Sequence, residues 1–138
     1  MATNYGKAAL RHWTSSGALA MNDQLQDAAY LAGYVGECGL KAVMVALGGT
    51  GDPKSYAHDL EALSGDGLAT AALFSRGSGR YAALAMPLTS LIWSPEDRYE
   101  DNKTDKATLQ ANCDLARQAG SSLVFALALD GLLEEALL

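Results

Sequence analysis

Between Ala28 and Leu47 the chain runs for twenty residues with only two charged side chains, Glu37 and Lys41, and sets a glycine at every third position from Gly33 to Gly39. The stretch lacks the strict alternation of a half-buried strand, and its apolar residues recur at helical steps. A glycine inside a helix costs roughly 1 kcal/mol relative to alanine, so three of them require a compensating gain. Close approach of another helix supplies one. Ala29, Ala32, Gly33 and Gly36 make a small-residue face for a second backbone, and Gly33, Tyr34 and Gly36 are the candidate packing or dimer face. Residue size alone leaves open whether that neighbour lies in the same chain or in a second copy. Asn22 or Asp23 offers the cap, Gln26 stands three after Asp23 as in a capping box, and Gly48-Gly49 ends the pattern after Leu47. At 1.5 Å per residue this helix is about 37 Å long.

The remaining segments follow the same period. From Lys7 to Ala20, Ala8, Ala9, Trp13, Gly17 and Ala20 fall along one side of a first helix. Pro53 suits the first turn of a short helix carrying Tyr56, Leu60 and Leu63, and Leu68 to Phe74 forms another. Arg76 to Arg80 reads as a flexible joint, and Tyr81 to Ile92 as a helix interrupted at Pro87. A last long helix starts at Thr104 or Asp105 and runs through Leu109, Cys113, Ala116, Leu123 and Leu127. No hairpin-bounded period-2 pattern and no internal repeat occurs. The expected fold is all-α, an antiparallel up-and-down bundle of four to five helices forming a single domain over residues 1–138.

Charge narrows the function classes. The net charge of −6 argues against a general nucleic-acid coat or a polybasic membrane binder, because both need clustered Lys and Arg to meet phosphates. A local RNA or nucleotide site remains compatible with it. The longest clean apolar run, Leu123 to Leu129, is far short of a spanning helix. The residues after Met1 do not build a signal-type apolar segment, so a cytoplasmic protein is expected. Cys38 and Cys113 sit in apolar helical patterns with no metal-ligand spacing nearby, which predicts buried reduced thiols, no metal and no cofactor.

Several short sequences bear on chemistry. Gly48 to Ser55 has the look of a phosphate loop, but Pro53 stands where glycine is needed and the loop follows a helix rather than a strand. His12 and His58 are too few for a zinc site, although His58-Asp59 folded beside Arg98 would make an acid and base pair. Glu37 and Lys41, four apart, form either an exposed helical pair or a buried pair bonding the segment that holds Arg98. Trp93-Ser94-Pro95-Glu96-Asp97-Arg98-Tyr99 is loop-like, and loops carried on a rigid bundle often bear binding residues. Arg98 can take a phosphate or pair bidentately with Glu37, and Tyr99 can stack on a base or cover the core.

Ala9-Leu10-Arg11-His12-Trp13, the block from Asp27 to Ala42, His58-Asp59-Leu60 and Trp93 to Tyr99 together resemble the HEPN domain family in order and spacing. The central block, with Ala29-Tyr30-Leu31-Ala32-Gly33-Tyr34 and Glu37-Cys38-Gly39-Leu40-Lys41, is the specific part. The resemblance implies an up-and-down helical bundle that usually dimerises. It also implies either metal-independent RNA cleavage or a toxin-antitoxin partnership with a small nucleotidyltransferase. Nuclease members carry an Arg, four to six intervening residues and then a His. Arg98 matches the Arg, but Lys103, Thr104 and Asp105 occupy the positions open to the His, and none can act as the imidazole. Arg98 and Tyr99 are therefore carried over as binding residues and no catalytic residue is assigned.

The expectation is a non-catalytic, homodimeric interaction or ligand-binding module. Its groove lies near Arg98 and Tyr99, with Glu37 and Lys41 beneath. The alternatives are the HEPN component of a toxin-antitoxin pair with a nucleotidyltransferase partner, and a divergent RNase with His58 or His12 as its base.

Overall fold

The computed structural model describes residues 4–46, 78–91 and 105–132, and among these residues helix is the only regular structure. Helix α1 (Tyr5–Met21) is followed by α2 (Leu25–Ala46). Helix α3 (Ser78–Ala85) leads directly into a 3-10 turn (Met86–Ser90), and α4 (Lys106–Leu129) completes the set.

Local chemistry fixes the helix starts. The Asn4 side chain accepts from the Lys7 N–H at 2.9 Å, capping α1, and Asp105 accepts from the Thr108 N–H at 2.7 Å, capping α4 where the sequence places a cap. The turn between α1 and α2 differs from the expected capping box. Asp23 takes φ 60°, and the Gln24 N–H reaches back to the Leu19 carbonyl while the Asp23 N–H bonds that of Ala20. These are the paired bonds of a Schellman closure, with aspartate in the left-handed position where glycine is commoner. Asp23 thus closes α1, and α2 begins at Leu25, one residue later than a cap at Asp23 would set it. At the other side of the fold, α3 already includes Ser78 to Arg80, which the sequence reads as a joint. Pro87 then sits in the first turn of the 3-10 segment, where its missing N–H breaks no bond. The short helices expected at Pro53 to Leu63 and Leu68 to Phe74 lie outside the described residues.

Side-chain contacts give the helix directions. Tyr5 meets Lys41 and His12 meets Tyr34, so α1 and α2 run opposite ways. Asp23 pairs with Lys106 at 2.9 Å while Trp13 meets Phe125, which sets α4 antiparallel to α1 and alongside α2 in the same direction. Tyr81 at the start of α3 donates its hydroxyl proton to Asp130 at the far end of α4. Leu91, just past the 3-10 turn, packs on the cluster that holds Cys113 and Ala116 as well as on the one that Tyr81 joins, so this segment runs against α4.

Helix α2 is the centre. Every residue from Val35 to Met44 is buried, all the way round the helix. Leu40, Val43 and Met44 pack with Leu88, Leu123 and Leu127, while Ala28 and Ala32 pack with Cys113 and Ala116. The glycine pattern has its explanation here, and the neighbour belongs to the same chain. A Cβ on Gly120 of α4 would stand 2.5 Å from the Val35 backbone carbonyl, and one on Gly39 would stand 2.8 Å from the Gly120 oxygen. The two backbones touch, one turn further along α2 than the face centred on Gly33. Gly36 instead makes room for Leu88, whose Cδ2 would lie 2.8 Å from an added Cβ, and Gly33 is buried.

Gly120→Ala must therefore push two backbones apart rather than displace a side chain. We expect a loss of about 3 kcal/mol, at the upper end of overpacking effects, in urea denaturation. Gly131→Ala, in open space at φ 73°, should cost only about 1 to 2 kcal/mol through backbone conformation alone.

Candidate functional site

Glu37 and Lys41 project from the fully enclosed part of α2. They are 4 % and 6 % exposed, and Lys41 Nζ lies 3.6 Å from Glu37 Oε2. Of the two arrangements open to a pair four residues apart, the chain adopts the buried one. The cause is the continuous burial of α2 from Val35 to Met44, which leaves no solvated face for either charge. Lys41 Nζ also stands 5.7 Å from the centre of the Tyr5 ring, so an aromatic face from α1 meets the ammonium. Cys38, adjacent to the pair, is a free thiol pushed up to about 11 by burial first and by the Glu37 carboxylate second. Cys113 is likewise free and raised by burial. Neither thiol is poised as a nucleophile.

A second cluster lies beside the first on the α1–α2 seam. The His12 ring stacks on Tyr34 with centroids 5.3 Å apart and planes 29° from parallel. Tyr30, one turn earlier on α2, meets Tyr34 edge-on, and the two hydroxyls are hydrogen-bonded at 3.1 Å. All three side chains are half-buried. Burial first, and then the neighbouring Arg11 charge, holds the His12 pKa below its ordinary value, so the imidazole is neutral at pH 7. Tyr34, expected at a packing face, is thus the middle member of an aromatic series rather than part of the closest helix contact.

Arg117 stands outside every motif legible in the sequence. Its Nε donates to Ser16 Oγ at 3.1 Å and its Nη2 donates to the Trp13 carbonyl at 3.2 Å, while the guanidinium lies 5.3 Å from the Trp13 ring centre. Gly17 gives it room, since a Cβ there would stand 2.5 Å from Nη2. The visible traces were a lone arginine within α4 and the small pair Ser16-Gly17 on the core side of α1. Trp13 itself packs edge-on to Phe125.

Among the described residues, no three His, Cys, Asp or Glu side chains converge as a metal site requires. None of the described helices is long and apolar enough to cross a membrane. Arg98, Tyr99 and His58 lie outside the described residues, as do Gly48 to Ser55, so the site places Glu37 and Lys41 together and says nothing of the expected loop above them.

Two measurements check this electrostatic reading. Lys41→Met removes the ammonium beside a buried carboxylate and should cost about 3 to 5 kcal/mol, whereas Glu37→Leu with Lys41→Met should restore most of that loss in chemical denaturation. For His12 the unfolded chain takes up its proton near pH 6.5 and the folded one only at lower pH. The stability it supports is therefore fully present above pH 6.5 and falls as pH drops through the folded-state pKa. A proton NMR titration should place the His12 midpoint below 6.5, and His12→Phe should flatten that part of the stability profile.

No protein-family model, no curated protein and no solved structure matches this chain.

Proposed function

We propose that this chain is a non-catalytic, HEPN-like ligand-binding or interaction module that works as a homodimer, taking a nucleotide or RNA phosphate at Arg98 and Tyr99. The observation that supports the reading is the burial of Glu37 against Lys41 in the centre of α2. A buried ion pair adds little to stability compared with apolar residues of the same volume, so its presence in the most enclosed helix calls for another reason. Glu37 carries a carboxylate that accepts from more than one donor, and Arg98 brings a planar fork suited to it. In this reading Glu37 orients the Arg98 guanidinium, Lys41 balances the carboxylate, and the outer edge of Arg98 meets a single phosphate while Tyr99 stacks on the attached base. The absence of an imidazole at positions 103 to 105 is why binding rather than cleavage is proposed.

The test is a fluorescence titration of the full chain with a short labelled single-stranded RNA and, separately, with ATP. One of the two probes should bind, with a shallow salt dependence reporting one or two phosphate contacts. Arg98→Ala should weaken that binding at least tenfold, and the RNA should remain intact. Failure of both probes to bind, or equal binding by Arg98→Ala, overturns the proposal, and cleavage of the RNA overturns its non-catalytic part.

A further inference from the structure

Arg117 is a cation without a counter-ion. Of the N–H donors of its guanidinium, Nε is spent on Ser16 Oγ at 3.1 Å and Nη2 on the Trp13 carbonyl at 3.2 Å, and both acceptors are neutral. Among the described residues no carboxylate pairs with it. Asp114, one turn earlier on α4, is exposed and accepts instead from Gln110 Nε2 at 2.8 Å. A half-buried charge is costly unless it is paired, and two neutral acceptors are served equally by a neutral donor. Tying α1 to α4 therefore accounts for the hydrogen bonds and leaves the charge unexplained.

The remaining donors face water. Nη1 makes no hydrogen bond, and among the described residues no side-chain nitrogen or oxygen is both enclosed and without a partner. Nη1 of the half-buried Arg117 thus reaches the surface of the α1–α4 seam. It is held there by the two inward bonds, by the Trp13 ring 5.3 Å from the guanidinium carbon, and by the space that Gly17 leaves beside Nη2. A donor fixed in advance gives up little freedom on binding. The same Trp13 ring meets Phe125 edge-on with centroids 6.3 Å apart, and Phe125 is 44 % exposed. An unpaired guanidinium edge and an open aromatic surface therefore share one side chain, Trp13.

We infer that this seam is a binding site for a small aromatic acid, with its carboxylate on the outer N–H groups of Arg117 and its ring against Trp13 and Phe125. Nη1 and the second Nη2 proton lie in one plane and form a two-donor fork that matches the two oxygens of a carboxylate. Aromatic rings favour edge-to-face and offset contacts, and the exposed part of Phe125 offers one to a third ring. Charge limits the ligand to a monoanion. One guanidinium balances one negative charge, and any further charge meets Asp114 and a chain of net charge −6. None of these residues takes part in the function proposed above, and the inference does not depend on it.

The test is a titration of the full chain, followed by proton–nitrogen NMR at the Arg117 Nε and Trp13 indole signals. Phenylacetate should move both signals and saturate with a dissociation constant of about 1 mM or below. Acetate supplies the anion without the ring, phenylacetamide the ring without the anion, and inorganic phosphate another oxyanion. Each should bind about tenfold more weakly or worse. Arg117→Lys keeps the charge and loses the fork, and should weaken phenylacetate by about tenfold. Phe125→Ala, at an exposed position, should weaken it about threefold with an unchanged circular dichroism spectrum. Should Arg117→Lys fail to fold, the wild-type signals and Phe125→Ala still decide. No movement of the Arg117 signal at about 10 mM phenylacetate overturns the site. Equal binding by acetate, by phenylacetamide or by phosphate, or no effect of Phe125→Ala, overturns the aromatic acid as its ligand.

Discussion

The contact of two backbones at Gly39 and Gly120 sets the geometry of the rest of the protein. With no Cβ on either side, α2 and α4 approach until main-chain atoms touch. On one side of that contact the core is built of small residues, Ala28, Ala32, Cys113 and Ala116, and on the other of larger ones, Leu40, Met44, Leu123 and Leu127. Leu88 and Tyr81 join the larger side from α3 and its 3-10 extension. Helix α1 meets the same stretch of α2 from another side, with Tyr5 against Lys41, and Glu37 and Lys41 are buried there.

Helix α1 is held differently. Its seam with α4 relies on Arg117, which crosses to Ser16 and the Trp13 carbonyl and lies over the Trp13 ring. Its seam with α2 carries Tyr5 over Lys41 and His12 on Tyr34. The polar and aromatic groups of the described core therefore concentrate along α1, and the apolar packing concentrates along α2 and α4. Function, in the reading proposed above, draws on the Glu37–Lys41 pair of α2 for recognition and on the apolar packing of α2 and α4 for rigidity.

Much of this was legible in the residues. Helical period located α1, α2 and α4 within a few positions, Asp105 marked its cap, and the glycine spacing announced a close helix neighbour. The α1–α2 turn was misplaced because Asp23 adopts a left-handed conformation that composition assigns to glycine. The closest approach was centred one turn early because Gly120, the partner that selects Gly39 over Gly33, stands far away in the chain. Glu37 and Lys41 showed their spacing but not their burial, which depends on how completely neighbouring elements wrap α2. Arg117 and the Ser16-Gly17 pair are faint traces when read apart, since the residues they join are more than a hundred positions from each other. His12 and Tyr34, by contrast, are nearly equidistant from the turn at Asp23, so folding the sequence back on itself there brings them together.

The separation of Gly39 from Gly120 also governs the order in which the protein can assemble. The turn at Asn22 to Gln24 lets α1 close on α2 through contacts that are short in sequence, whereas the glycine contact joins residues roughly 80 apart and is the slower kind to form. Until α4 is made, the backbone at Gly39 has no partner for its closest contact. The helix that supplies it is uncharged from Gln118 to Leu129, so the interval before it docks is the one most exposed to misassembly.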